Sequence, residues 1–290
     1  MNVPSNKLGD LIRFYTKELA FLYPVGEARS MIELLVSHYF SVTRLHLVVN
    51  PDLRLNETEL LKLHFAVKEL KKFKPVQYIL NSCTFDGNNF FVDESVLIPR
   101  PETEELVGLC AEFLNMSENR KVLDLGTGSG CIAISLAKRI AQAQVTAVDV
   151  STKALLVAEQ NAIANNVVLQ FIHADILNDN QFVAEANFNL IVSNPPYVTI
   201  SEKGFMRKNV LDYEPSTALF VTDNDPLVFY KRICSLANQL LAREGMLAFE
   251  INERFGEAVA GLLQLSGFKQ ITIHKDINKK DRFVTGLFSD

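Results

Sequence analysis

The sequence predicts an α/β protein: a mostly parallel sheet covered by helices on both faces, preceded by a small helical bundle. Three observations predict it. From residue 121 onward, short apolar runs alternate with segments of helical spacing, and near-continuous apolar strands of this kind belong to sheets buried on both sides. Residues 1–75 show helical spacing with no strand-like alternation between the segments, the pattern of a bundle. Between these two regions lies a pair of short β-prone runs. A chain of 290 residues accommodates two domains, and the expected boundaries are 1–75 for the bundle, 76–101 for a linker and 102–290 for the sheet domain.

The elements follow in order. Residues 6–22 place Leu8, Leu11, Ile12, Tyr15 and Leu19 on one helical face. Pro24 suits a first helical turn, and the segment 24–40 repeats the spacing with Ala28, Met31, Ile32, Leu35 and Tyr39. Asn56 followed by Glu59 has the form of a capping box and opens a third helix running to Phe73, before Pro75. "CTFDGNNFFVDESVLI" centres two β-prone runs on Asp86–Gly87, a hairpin signal. A helix is expected over 102–115. Then come strand "KVLDLG", helix "CIAISLAKRI", strand "QVTAVDV", helix "TKALLVAEQNAIAN", and strands "VVLQFIHAD" and "FNLIVSN". Helix 226–242, strand "GMLAFEI", helix 254–265 and strands near 268–275 and 282–288 complete the series.

Composition bounds the function. Apolar residues make up 48% of the chain and charged residues 22%, the balance of a globular protein with a full core. No apolar run approaches the ~20 residues of a membrane span. The start "MNVPSNKLGD" lacks a basic region followed by an apolar block, so a cytoplasmic location and no membrane partner are expected. Cys83, Cys110, Cys131 and Cys234 are scattered without a C-x-x-C pair, which points to reduced, buried thiols. The five histidines show no ligand spacing, and no metal is expected. Net charge is −5, divided as +3 over residues 1–80 and −8 over the remainder. The basic part peaks at "KELKKFK", residues 68–74. Lysines at a helix C-terminus complement its dipole; a docking face for an acidic or RNA-containing partner is the alternative.

"VLDLGTGSG" runs from a buried strand into a helix. Gly126, Gly128 and Gly130 permit a tight turn and close approach of a ligand, and the helix behind them offers unpaired N–H groups. Ligands in open α/β sheets sit beyond the carboxyl ends of the strands. The P-loop pattern is absent, and the third glycine comes one residue too early for a dinucleotide loop. Asp149 ends the second strand, where a carboxylate can accept both hydroxyls of a ribose. Asp175 follows the third, within reach of an adenine amino group. Each alone has the ordinary reading of a cap or turn. Together, at successive strand ends with "NPPY" (194–197) at a fourth, they point to an adenosine-containing ligand. Two prolines cannot continue a ladder or helix, so "NPPY" is a rigid turn that aims one amide and one ring.

These residues resemble the S-adenosylmethionine-dependent methyltransferases of the Rossmann-like type, and "NPPY" looks like the subset that methylates planar nitrogen. "PVQYIL" (75–80), "LIPRPETEELV" (97–107), "VLDLGTGSGCIAISLA" (122–137), "IVSNPPYV" (191–198) and "YEPSTAL" (213–219) together resemble the protein-(glutamine-N5) methyltransferases that modify peptide chain release factors. The resemblance runs from about residue 75 to 290, and an N-terminal helical domain of this size also fits that family. It implies that Gly126, Thr127, Gly128, Ser129 and Gly130 would wrap the methionine part of S-adenosylmethionine. Asp149 would hold the ribose, and Asp175 and Ile176 would flank the adenine. Asn194 would touch both cofactor and substrate amide, with Pro195, Pro196 and Tyr197 completing the substrate pocket. Arg100, Glu102 and Glu104 would lie near it. The product would be S-adenosylhomocysteine, and the partner a release factor presenting a GGQ loop. The chain departs from the family pattern at Asn81, where Gly is usual, at "NERFGEAV" and at "DINKKDRF". Asn tolerates left-handed backbone better than most residues, so the turn at 81 is expected to survive.

The chemistry needs such residues. An amide nitrogen is a poor nucleophile, because its lone pair is delocalised. Two acceptors on the NH₂, the Asn194 side-chain oxygen and the Pro195 carbonyl, would favour the charge that grows as it attacks. Asn194, Pro195 and Tyr197 are thus the expected catalytic set, Tyr197 lying over the planar amide. Adenine or an rRNA base also presents a planar amine, which keeps a nucleic-acid methyltransferase as the alternative. The acidic sheet domain and the lack of a long basic stripe argue against a direct nucleic-acid substrate. The glycine spacing and "NPPY" argue against a NAD(P) oxidoreductase. A non-enzymatic S-adenosylmethionine-binding module would keep all activity intact on loss of Asn194 or Tyr197.

Overall fold

The computed structural model describes residues 3, 5–117, 119–179 and 186–289. The chain forms two compact units, Met1–Ser82 with Arg207–Tyr213, and Cys83–Met206 with Glu214–Asp290.

The first unit is helical: α1 (Leu8–Leu19), α2 (Val25–Phe40), α3 (Arg44–Val49), α4 (Glu57–Leu70) and α5 (Val76–Leu80). Leu8, Leu11, Ile12, Tyr15 and Leu19 of α1 are all buried, as their spacing predicts. On α2 the buried set is Ala28, Ile32, Leu35 and Val36; Met31 and Tyr39 lie at its margin. The capping box forms at α4: Glu59 N donates to Asn56 Oδ1 and Asn56 N to Glu59 Oε2, each at 2.9 Å. α4 stops at Leu70, short of the expected Phe73, which adopts φ 68. Lys71 and Lys72 of the basic run pair with Glu18 at 2.9 Å and Glu69 at 2.7 Å. α3 and α5 escape sequence reading because elements of six and five residues show no period. Asn81 caps α5 at φ 50, ψ 39, the left-handed turn expected where the family has Gly.

The second unit opens with the hairpin β1 (Cys83–Phe85) and β2 (Asn88–Phe90). Asp86 and Gly87 both have positive φ, 51 and 69, the geometry that tight hairpins demand. α6 (Pro101–Asn115), β3 (Lys121–Leu125), α7 (Cys131–Arg139), β4 (Gln144–Asp149), α8 (Thr152–Ala164), β5 (Gln170–His173) and β6 (Phe188–Ser193) follow. Next come β7 (Val198–Thr199), a 3₁₀ turn at Ile200–Phe205, α9 (Lys208–Tyr213), α10 (Ser216–Leu219) and β8 (Phe220–Val221). The sheet is completed by α11 (Val228–Leu240), β9 (Leu241–Glu250), α12 (Gly256–Leu265), β10 (Lys269–Lys275) and β11 (Asp281–Leu287). α9 belongs to the helical unit, where Arg207 lies 3.2 Å from Glu27 and Tyr213 Oη donates to the Lys72 carbonyl at 3.0 Å.

The seven-stranded sheet has the order β10-β11-β9-β6-β3-β4-β5. Only β11 runs against the others, so the sheet is mixed but mostly parallel. Successive residues feed opposite faces: Val122, Leu190 and Val192 enter one apolar cluster, Leu123 and Ile191 the other. This two-sided burial is what the continuous apolar strands predict. The chain moves outward from β3 through β4 to β5, then returns to place β6 on the other side of β3. Strand order reverses there, and a crevice opens at such a switch point. The four cysteines are free and buried. Among the described residues no helix is long and apolar enough to cross a membrane, and no cluster of side chains suited to a metal occurs.

The region 198–221 carried no expected elements. Its strands have two residues each, paired Val198↔Phe220 and Thr199↔Val221. β9 begins at Leu241, where a helix was expected to run to 242, because the strand's first residue already pairs with Phe188.

Candidate active site

A cavity of about 380 Å³ opens at the switch point, entirely within the second unit. One wall is the glycine turn. Gly126 N and Thr127 N both donate to Val148 O, at 2.9 and 3.0 Å, tying the end of β3 to β4. Gly130 then caps α7. A Cβ built at Gly126 or Gly128 meets no protein atom within 4 Å, and both residues line the cavity with Thr127 and Ser129. Gly130 is different. It has φ 81, and a Cβ there would sit 3.0 Å from Ile134 Cδ1 and 3.2 Å from Ala158 Cβ. A left-handed conformation costs other residues about 1–2 kcal/mol, and overpacking adds about as much again. Gly130→Ala is therefore expected to lower unfolding stability by about 2–4 kcal/mol in a urea titration; an unchanged midpoint would contradict the tight packing.

Asp149 ends β4. Its Oδ2 accepts from Gly128 N at 2.8 Å and its Oδ1 from Ser151 N at 2.9 Å. Burial pushes its pKa up, opposed by these amide hydrogen bonds. A carboxylate offers about four lone-pair sites, so acceptor capacity remains for ligand hydroxyls. Asp175 lies on the same cavity but spends its carboxylate on its own turn, accepting from Leu177 N at 2.9 Å and Asn178 Nδ2 at 2.7 Å. Ile176 lines the cavity beside it, its carbonyl held by Arg232 Nε at 2.6 Å.

Behind the turn sits Asp124, fully buried, with its Oδ2 accepting from Thr127 Oγ1 at 2.7 Å. Burial pushes its pKa up to about 7, with the Asp149 charge adding to the rise and the Thr127 hydrogen bond opposing it. The folded-state value lies above the unfolded one, so its stabilisation is complete below pH ~4 and lost as pH rises through about 7. From pH 5 to 8 the protein should lose on the order of 2 kcal/mol relative to Asp124→Asn, which lacks the titration. Parallel pH profiles for the two proteins would refute this.

The "NPPY" turn leaves β6 between two anchors. Ser193 Oγ donates to Leu125 O at 2.6 Å, pinning the end of β6 to β3. Asn194, Pro195 and Pro196 line the cavity. Among the described residues, none hydrogen-bonds the Asn194 side-chain amide, which leaves it available to a ligand. Tyr197 departs from expectation. It does not line the cavity; its ring packs against the core and its hydroxyl donates to Glu250 Oε1 at 3.2 Å. Burial raises its pKa strongly, and the Glu250 charge adds to this.

The segment "RPETEE" also differs from expectation in part. Arg100 lines the cavity, but its Nη2 donates to both oxygens of Glu214 at 2.7 and 2.8 Å. Glu104 does not line the cavity; it accepts from Asp86 N at 3.0 Å and so fixes the hairpin turn. Glu102 has no place in the lining either. Thr103, unremarked in sequence, does line it. Sequence motifs assign no role to Thr103, Glu214 or Glu250. The available signal was a carboxylate set in or beside apolar runs, as in "LAFEI".

Comparison with known proteins agrees with this architecture. The family description "Methyltransferase small domain" matches residues 107–211, and "PrmC N-terminal domain" matches residues 10–80. A methyltransferase structure from Pyrococcus furiosus superposes with a TM-score of 0.52 at 16% identity, covering 81% of this chain and 100% of that one; this likeness concerns the fold alone. The release factor glutamine methyltransferase of Flavobacterium psychrophilum is 46% identical, over 93% of this chain and 95% of the relative. That of Bacteroides thetaiotaomicron is 39% identical, over 94% and 97%. Identity of this level along nearly the whole of both chains, on a methyltransferase sheet with the turn and carboxylate geometry described, makes this chain a member of the release factor glutamine methyltransferase family.

Proposed function

We propose that this protein transfers a methyl group from S-adenosylmethionine to the side-chain amide nitrogen of the glutamine in the GGQ loop of peptide chain release factors, leaving S-adenosylhomocysteine. The observation that carries the reading is the Asn194–Pro195 turn, which faces the same cavity as the glycine turn and Asp149, its side-chain amide unpartnered among the described residues. The residues present fit the cofactor. Open space stands over Gly126 and Gly128, and Asp149 retains acceptor capacity for ribose hydroxyls. Gly126 to Gly130 would hold the methionine part, and Asp175 and Ile176 the adenine.

When bound, the sulfonium supplies an activated methyl group and a good leaving group. This chain's residues do the rest. The Asn194 oxygen and Pro195 carbonyl accept from the substrate NH₂, orient it and stabilise its growing positive charge. Pro195 and Pro196 hold that geometry rigid. The apolar part of the cavity excludes water around the reacting atoms. Because the proton leaves readily once the nitrogen is methylated, no side-chain base is assigned.

We assign the helical unit, expected over 1–75 and extending to Ser82 with Arg207–Tyr213, to substrate recognition, and the second unit, which includes most of the expected 76–101 linker, to catalysis. A GGQ loop is small, so a second contact surface on the factor adds affinity. The site of action is the cytoplasm, where release factors work. The test is mass spectrometry of a purified release factor incubated with this protein and S-adenosylmethionine. One added methyl on the GGQ glutamine is expected; a methyl on RNA or DNA instead would replace the substrate assignment with a nucleic-acid base.

A further inference from the structure

Glu250 ends β9 with 1% of its surface exposed and does not line the cavity. The proposed chemistry gives it no task, yet a buried carboxylate is costly unless its oxygens are bonded. Here each oxygen has one partner. Oε2 accepts from Thr103 Oγ1 at 2.6 Å, and Oε1 from Tyr197 Oη at 3.2 Å. Its backbone carbonyl accepts from Tyr230 Oη at 3.1 Å. Arg282 contributes a nearby positive charge and is itself held by Asp276 at 3.2 Å.

The two side chains that Glu250 holds both bear on the cavity. Thr103 is part of its lining, on the first turn of α6. Tyr197 ends the turn that carries Asn194 and Pro195. The intervening prolines fix φ, so the turn moves as a short lever between two pins. One pin is Ser193 on the Leu125 carbonyl; the other is Tyr197 on Glu250. Asn252 Nδ2 also reaches the Tyr197 carbonyl, at a long 3.4 Å, and the chain beyond Tyr197 is tied by the two-residue pairing of β7 with β8.

We propose that Glu250 is a positioning residue, whose buried carboxylate fixes the Tyr197 hydroxyl and the Thr103 hydroxyl together and so sets the orientation of the Asn194–Pro195 acceptors. Tyr197 then acts from behind the turn, as its brace. This inference rests on the proposed methyl transfer, in which those acceptors meet the substrate amide.

The experiment uses the full chain in five forms: parent, Tyr197→Phe, Glu250→Leu, these two combined, and Glu250→Gln. Tyr197→Phe removes one hydroxyl and keeps the packed ring, so it remains informative if Glu250→Leu folds poorly. Methylation of a release factor is followed with kcat and KM separated, and S-adenosylmethionine affinity is measured by calorimetry without the factor. Tyr197→Phe and Glu250→Leu should each lower kcat roughly 10-fold, since misplacements under an ångström already cost rates of this order. Cofactor affinity should stay within about 2-fold, because the ribose and methionine contacts lie on other elements. Combining the two substitutions should cost little more than either alone, as expected for one shared interaction. Glu250→Gln, which can still accept from one hydroxyl and donate to the other, should recover most of the rate. Hydrogen exchange at the Asn194 and Val198 amides should quicken in Tyr197→Phe. A Tyr197→Phe protein with parental kcat and parental exchange would overturn the inference. Were the parent itself inactive on the release factor, the proposed function would fall, while the exchange measurement would still decide whether Glu250 braces the turn.

Discussion

Asn194→Ala is expected to lower methyl transfer to the release factor glutamine by about 100- to 1000-fold, the usual cost of removing one oriented group that meets charge developing in the transition state. The loss should fall on kcat. Asn194 follows β6, whereas the carboxylate and turn proposed for the cofactor lie at the end of β4 and after β3. Cofactor affinity should therefore drop by no more than about 3-fold, roughly the size of one exposed neutral hydrogen bond. The side-chain amide has no protein partner among the described residues, so truncation leaves no buried group orphaned, and the fold should be unaffected. Mass spectrometry of the factor and calorimetry of the cofactor check the two halves. A variant with full activity would remove the turn from the mechanism and favour a binding module.

Asp149→Ala should have the opposite signature. Its carboxylate already organises the glycine turn, through Gly128 N at 2.8 Å and Ser151 N at 2.9 Å. The substitution strips two backbone donors of their acceptor as well as removing the proposed ribose contact. Hydrogen bonds to a charged group are worth about 1.5–3 kcal/mol each. S-adenosylmethionine affinity should accordingly fall by about 100-fold or more, at about 1.4 kcal/mol per factor of ten. Asp149→Asn, which keeps one acceptor oxygen, should lose less. Calorimetry on the two variants without release factor isolates this effect; equal affinity in parent and Asp149→Ala would displace the ribose from this position.

Much of the molecule was legible because it is local. The box at Asn56–Glu59, the positive φ at Asp86–Gly87 and the left-handed Asn81 are each set by residues within a few positions of one another. The glycine turn and Asp149 belong here too. Steric freedom at three glycines and a carboxylate at a strand end are properties of residue types at a spacing, and the fold brings them together at a switch point that the alternating strands and helices already imply.

The short elements were not legible. α3, α5 and the pair β7–β8 have too few residues to display a period, and their shape comes from what they pack or pair with. Nor did the residues show where side chains would turn. The neighbours of Tyr197 and Arg100 in sequence do not reveal their partners, Glu250, 53 residues away, and Glu214, 114 residues away, although Arg100 does line the cavity.

By itself the sequence determined the fold class, the helical unit, the glycine turn with Asp149 beside it, and the rigid turn at Asn194–Pro195. Each is encoded in hydrophobic period or in the backbone limits of Gly and Pro, which act over a few residues. Only the tertiary structure decided that Glu104 supports the hairpin, that Arg100 is paired to a buried carboxylate, and that Thr103, Tyr197 and Glu250 form one network. Such pairings follow from a buried charge that must find its partners wherever the packed chain brings them, and Thr103 and Glu250 meet across 147 residues.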